Sequence, residues 1–304
     1  MIAAGLDIGT NTILMVIAEV HEDGSYTVLH DEHAIPRLGQ GVDAAGAISD
    51  EAVERALGVL TEYRAILDGA GSPPTLCVGT SALRDASNRD SVVERLGAVI
   101  NAPIWVIDGS AEAELTFVGT VGTHTPEAVV IDIGGGSTEC VKGAFGKIAS
   151  STSLNIGALR LAERFLGNRP ASPDMIRAMV DAINAELEQH LPWLHHAGVD
   201  TYAVAGTPVA LASLSLGLER YDRTALEGYR LRYAEVEQHA NHLLSLGIDA
   251  LRSLPGISVN RADILPAGAQ LLAQAMKFMD LDHVTVSTQG LRFGIMRVAA
   301  AETT

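Results

Sequence analysis

Apolar runs alternate with helical-period stretches along the chain, and their order predicts two similar halves. Residues 2–9, Ile-Ala-Ala-Gly-Leu-Asp-Ile-Gly, form an apolar strand ending in Asp-Ile-Gly, and Ile13–Val20 are apolar almost throughout, as in a central strand. Gly24 marks a turn, and residues 26–29 pair back as a third strand. Ser49 can cap a helix carrying Asp50 and Glu51 in its first turn, with Val53, Leu57, Leu60 and Leu67 at helical spacing and Gly69 and Gly71 at its end. Pro73 and Pro74 restart the chain into a strand at 75–78, which leads into Gly79-Thr80 and a helical stretch. The pattern then predicts a helix at 91–100, a strand at 104–107, a helix at 111–118 and a linker at 119–126.

The second half repeats the first. Ala128–Ile133 form an apolar run that again ends in Asp-Ile-Gly, glycines within 143–146 turn a hairpin, and 148–154 continue the sheet. Ser172 before Pro173 starts a helix with Met175, Met179, Val180, Ile183 and Leu187 on one face. Residues 202–205 lead into Gly206-Thr207 and a helix, as 75–78 lead into Gly79-Thr80. Nearly one spacing separates Asp7 from Asp132 and Gly79 from Gly206, which argues for a duplicated domain. A long helix at 261–279, a short strand at 284–286 and a helix over Leu291–Ala301 close the chain. A β-meander opening on a glycine loop fits a ribonuclease-H-like half of an actin-type α/β fold. A Rossmann unit would pass from its glycine loop straight into a helix.

The 304 residues suffice for two domains, placed at 1–124 and 125–304, with the last helix a candidate to pack back on the first. Aromatics make up only 4% of the chain, so the core is aliphatic. The formal net charge of −16 argues against a general nucleic-acid binder and makes a polyanionic substrate dependent on local cations. Cys77 and Cys140 lie in apolar strand-like runs and read as buried thiols. No basic leader precedes the first strand and no apolar run is long enough to span a bilayer, so the cytoplasm is the expected compartment, without a membrane partner.

Candidate chemistry concentrates at residues 132–139, Asp-Ile-Gly-Gly-Gly-Ser-Thr-Glu. Gly134, Gly135 and Gly136 permit a tight turn whose successive N–H groups form an anion nest suited to phosphate. Ser137 and Thr138 add hydroxyls. Asp132 and Glu139 flank the loop, and carboxylates beside phosphate point to a divalent cation, Mg²⁺ foremost. A glycine-rich hairpin with solvated acids is the competing account of this stretch alone. His239 and His242, and more loosely His190, His195 and His196, have metal-like spacing without a third ligand, and solvated helical histidines account for them. There is no Walker A motif.

An ordered motif set resembles the exopolyphosphatase and guanosine pentaphosphate phosphatase family, within the actin/sugar-kinase/heat-shock ATPase superfamily. The stretches are DIGTNT from Asp7, RLGQGVD from Arg37, TSALRDASN from Thr80, IDGSAEAEL from Ile107, DIGGGSTE from Asp132, AGTPVALA from Ala205, ILPAGAQLL from Ile264 and VSTQGLRFG from Val286. The resemblance implies two ribonuclease-H-like domains with an interdomain cleft, and Mg²⁺-dependent hydrolysis of a terminal phosphoanhydride by water. The family's catalytic glutamate lies in a Gly-x-x-Glu-Ala motif, which falls on Glu112. Glu139 matches a second carboxylate that positions water or metal, and Asp132 and Asp7 match metal-associated acids. Arg84 matches an arginine near the phosphates, as does Arg37 more weakly. Gly9, Thr10, Asn11 and Thr12 join residues 134–138 as phosphate binders.

The implied substrate is inorganic polyphosphate, with short chains favoured, or guanosine pentaphosphate; a homodimer is left open. A sugar-type kinase and a non-catalytic phosphate sensor are the rivals. This chain departs from the family pattern at Leu14, where some members carry a basic residue, at Ala111, where many have a second glutamate, and at Phe293, where many have an acid. Larger members carry an additional helical domain, which a chain of this length would not accommodate.

Overall fold

The computed structural model describes residues 1–167, 170–194 and 198–301. The chain divides into two compact units. One takes Met1–Gly119 together with Gly290–Thr304, and the other takes Thr120–Gln289. The sequence pattern sets this break at 124/125.

In the first unit, β1 (Ile2–Ile8), β2 (Ile13–Val20) and β3 (Tyr26–Ala34) form an antiparallel meander. Strands β4 (Thr75–Gly79) and β5 (Ile104–Val106) add in parallel beside β1, giving the order β3-β2-β1-β4-β5. The helices are α1 (Val42–Ala45), α2 (Asp50–Gly69), α3 (Ser81–Asp85), α4 (Arg89–Ile100) and α5 (Gly109–Val121). Ser49 caps α2 by accepting from the Ala52 amide at 3.2 Å, and Val53, Leu60 and Leu67 are buried as their spacing predicts. They join Leu6, Ile8, Ile13 and Met15 in the core on one face of the sheet.

The second unit repeats this plan. Strands β6 (Ala128–Ile133), β7 (Thr138–Ala144) and β8 (Lys147–Leu154) make the meander, after which come α6 (Ala158–Phe165) and α7 (Pro173–His190). Strand β9 (Asp200–Val204) pairs in parallel with β6 and leads into α8 (Gly206–Leu216). Then follow α9 (Arg223–Leu226), β10 (Arg230–Arg232), α10 (Tyr233–Ser245), α11 (Ile248–Arg252), α12 (Leu265–Phe278) and β11 (His283–Val286). The sheet order β10-β11-β9-β6-β7-β8 is that of the first unit plus β10 at one edge. The duplicated ribonuclease-H-like α/β fold is therefore present in both sheets. The apolar face of α12 runs through the middle of this unit's core, with Leu271, Leu272 and Met276 fully buried.

Helix α13 (Leu291–Ala301) lies in the first unit, against β1. The approach is close: a Cβ on Gly5 would stand 2.4 Å from the Arg292 carbonyl oxygen. Arg292 donates from Nε to Asp31 Oδ1 at 2.8 Å and from Nη2 to Asp31 Oδ2 at 3.1 Å, a bidentate pair that ties α13 to β3. The Phe293 ring is fully buried and packs on Tyr26 with centroids 5.5 Å apart. It completes a small core with Ala3, Val16 and Met296.

Candidate active site

The glycine loop between β6 and β7 is held from behind by α6. The Ala158 amide donates to the Gly134 carbonyl at 2.9 Å, those of Leu159 and Arg160 donate to the Gly135 carbonyl, and Arg160 Nε donates to the Gly136 carbonyl at 2.9 Å. Within the loop, the Gly134 amide donates to the Ser137 carbonyl at 3.1 Å. With its carbonyls committed to α6, the loop is fixed in a tight turn before any ligand arrives. Gly157 is required for this contact: a Cβ there would lie 2.6 Å from the Gly135 carbonyl group. Ser137 and Thr138 are both buried. The Thr138 hydroxyl donates to the Ile156 carbonyl at 2.7 Å, so its proton is spent on the scaffold.

Asp132 and Glu139 are direct cross-strand partners in the β6–β7 ladder. Two carboxylates facing each other across an antiparallel pair repel, and a divalent cation removes that penalty. Glu139 is buried, and Ser153 Oγ donates to its Oε1 at 2.6 Å. Among the described residues no group of three or more His, Cys, Asp or Glu is placed to hold a metal ion. The carboxylate pair nevertheless fits Mg²⁺, which commonly takes one or two carboxylates and fills its shell from water and substrate phosphate.

The first unit carries the same turn. The Gly9 amide donates to the Thr12 carbonyl at 2.9 Å, matching Gly134 and Ser137. Here the supporting amides come from the loop before α1: Arg37 donates to the Asn11 carbonyl and Gly39 to the Thr10 carbonyl. Arg37 accepts a positive φ of 55° to do so. Thr10 and Asn11 are buried and Thr12 is half-buried. Both polar atoms of the Asn11 side chain are buried with no hydrogen-bond partner, which suits an amide kept to bind an incoming oxyanion. Asp7 stands opposite Leu14 in its ladder, where Asp132 stands opposite Glu139.

Glu112 sits in the first turn of α5 and is 6% exposed. Asp108 caps that helix, accepting from the Ser110 and Ala111 amides at 3.0 and 2.9 Å. Arg84, at the end of α3, donates from Nη1 to Glu112 Oε2 at 3.0 Å and to the Ile107 carbonyl at 2.9 Å. A nearly buried carboxylate aimed by a guanidinium has the fixed orientation that a general base requires.

The family model described as the Ppx/GppA phosphatase family matches residues 16–301. The chain belongs to this family. Ppx/GppA proteins are phosphoanhydride hydrolases, and this chain is an enzyme of that class. Exopolyphosphatase 2 of Mycobacterium tuberculosis is 33% identical over 96% of each chain. A guanosine-5'-triphosphate,3'-diphosphate pyrophosphatase of Vibrio vulnificus is 28% identical over 96% of this chain, which spans 58% of that longer relative. The crystal structure of a Cytophaga hutchinsonii exopolyphosphatase matches with a TM-score of 0.88 and 27% identity, covering 99% of this chain and 98% of that one.

Against this Ppx/GppA background, the structure brings Arg84 onto Glu112 and Asp132 opposite Glu139, and it builds one turn twice from residues 9–12 and 134–137. Among the described residues, the histidines form no group of three that could hold a metal. His239 is half-buried with Nε2 2.9 Å from Ser215 Oγ, and burial foremost lowers its pKa, so it is a packed rather than a solvated side chain. His242 is exposed, and His195 and His196 lie outside the described residues. Cys77 and Cys140 are free buried thiols; burial pushes Cys77 up to about 12 and Cys140 up as well. Sequence reasoning missed Arg160, which holds the glycine loop, and Arg261, whose guanidinium lies over Gly206 where a Cβ would stand 1.4 Å from Nη1. Desolvation brings Arg261 down to about 10, which leaves it a cation at neutral pH. No helix among the described residues is long and apolar enough to cross a membrane.

Proposed function

We propose that this chain is an exopolyphosphatase: it hydrolyses the terminal phosphoanhydride of inorganic polyphosphate and releases orthophosphate. The Arg84–Glu112 pair carries the reading, because it offers a buried, oriented carboxylate in the family's Gly-x-x-Glu-Ala context. In this mechanism Glu112 takes a proton from water as the water oxygen bonds to the terminal phosphorus. The bridging P–O bond breaks in line, and the shortened chain leaves with the electron pair. Gly9, Thr10, Asn11 and Thr12, with Gly134, Gly135, Gly136 and Ser137, bind phosphate oxygens through amides, hydroxyls and the Asn11 amide group. Arg84 orients Glu112 and adds positive charge.

Asp132, Glu139 and Asp7 are the residues assigned to Mg²⁺, which would supply charge neutralisation. The likeness to Exopolyphosphatase 2 over nearly the full length of both chains favours polyphosphate over guanosine pentaphosphate. Two free cysteines suit the reducing cytoplasm, where we place the enzyme. The test is phosphate release by purified protein from short polyphosphate, long polyphosphate, guanosine pentaphosphate and ATP, side by side with Mg²⁺. Polyphosphate should be the best substrate. A clear preference for guanosine pentaphosphate would transfer the assignment to that nucleotide, and binding without turnover would reduce the protein to a sensor.

A further inference from the structure

Ser81 has no role in the reaction as described, yet it is 2% exposed and its Oγ is buried with no hydrogen-bond partner. A buried hydroxyl without a partner is costly, and it persists where a ligand completes it. Its surroundings identify the ligand. On one side the Thr80 amide donates to the Ile8 carbonyl at 3.3 Å, and Thr80 Oγ1 lies 4.0 Å from where a Gly9 Cβ would be. On the other, Ala82 Cβ and Thr10 Cγ2 both close on Gly39, at 3.0 and 2.3 Å from its Cβ position. Ser81 is therefore pinned beside the 9–12 turn. Three residues further along α3, on the same helix face, Arg84 grips Glu112. Asn11, whose side-chain amide atoms are also buried without a hydrogen-bond partner, belongs to that same turn.

We propose that Ser81 is a further substrate-contacting residue, whose hydroxyl donates a hydrogen bond to a non-bridging oxygen of the terminal phosphoryl group between the 9–12 turn and Glu112. The proposal rests on the polyphosphatase reading and extends it. A donor placed on the equatorial oxygens works where charge gathers in phosphoryl transfer.

The experiment compares wild type, Ser81→Ala and Ser81→Cys in three readouts: kcat/KM on short polyphosphate, affinity for inorganic phosphate by calorimetry, and thermal midpoint. For Ser81→Ala, kcat/KM and phosphate affinity should each fall by about 10–100-fold, the scale for a hydrogen bond to a charged group. The midpoint should hold or rise, because an unpaired hydroxyl has been removed. Ser81→Cys, with a weaker donor of similar size, should fall between. Wild-type kcat/KM and phosphate affinity in Ser81→Ala would overturn the contact, and so would losses that track a lowered midpoint, which mark a structural role. If wild type hydrolyses no polyphosphate yet binds phosphate in a Ser81-dependent way, the contact stands and the substrate assignment falls.

Discussion

Removing the Arg84 guanidinium should damage both the stability and the chemistry of the first unit, and the two losses can be separated. Arg84→Met keeps the bulk of the side chain but deletes the Nη1 bonds to Glu112 and to the Ile107 carbonyl. Both bonds come from an ionised guanidinium, and each contributes roughly 1.5–3 kcal/mol. The Glu112 carboxylate, with 8% of its side chain exposed, is then left without this cation, and breaking a buried pair in this way costs about 3–5 kcal/mol. Arg84 itself retains 24% of its surface, so water can enter and partly solvate the orphaned acid. The expected loss is therefore about 2–4 kcal/mol, a fall on the order of 5–15 °C in the midpoint of the affected transition. Pairing this change with Glu112→Gln closes a double-mutant cycle. In Arg84→Met/Glu112→Gln no buried charge is stranded, so the double variant should recover about 1–3 kcal/mol relative to the sum of the singles. Urea unfolding of all four proteins, followed by circular dichroism, gives the coupling. Glu112→Gln by itself should lower turnover by roughly 10²–10⁴-fold, the usual range for losing a general base. Single variants that add within about 0.5 kcal/mol would refute the energetic account, and near-normal turnover in Glu112→Gln would remove the base assignment.

Asp132→Asn and Glu139→Gln should each relieve the cross-strand repulsion, leaving the fold intact or slightly more stable, while sharply reducing Mg²⁺-dependent turnover. Full activity of the wild type after EDTA treatment would end the metal assignment. Gly157→Ala forces a Cβ to within 2.6 Å of the Gly135 carbonyl, so it should displace the glycine loop and weaken phosphate affinity by more than tenfold; unchanged affinity in calorimetry would mean the loop needs no such support. The chain has 21 Lys plus Arg against 37 Asp plus Glu, so its field shortens the stay of long polyanions. A timed digest of long polyphosphate should show the whole length distribution drifting downward, whereas intact long chains persisting beside fully degraded product would establish processive action.

The strands and the two Asp-Ile-Gly turns were legible in the sequence because each is a local event. An apolar run ends, glycine admits the turn, and the next run pairs back, so Ile13–Val20 and Leu291–Ala301 end where their patterns end. Legibility failed where distant packing outvoted the local pattern. Strand β3 runs to Ala34, beyond the expected 29, because the polar stretch His30-Asp31-Glu32-His33 pairs residue by residue with the apolar β2, and Arg292 from the other end of the chain holds Asp31. The expected linker at 119–126 begins with the last turn of α5, which extends to Val121. The expected helix at 261–279 starts only at Leu265; Pro266 could have signalled this, since proline is tolerated in a first turn and breaks a helix interior. Residues 261–264 instead form turns that leave Arg261 over Gly206.

The candidate site divides in the same way. Its residue types and their order along the chain are properties of the sequence. Which hydroxyl is spent on the scaffold, as in Thr138, and which is left for a ligand, as in Ser81, depends on carbonyls and amides many positions away. The pairing of Arg84 with Glu112, 28 residues apart, likewise exists only after α3 and α5 are set beside one sheet. Sequence fixes what each side chain can donate or accept; only the tertiary structure decides to whom.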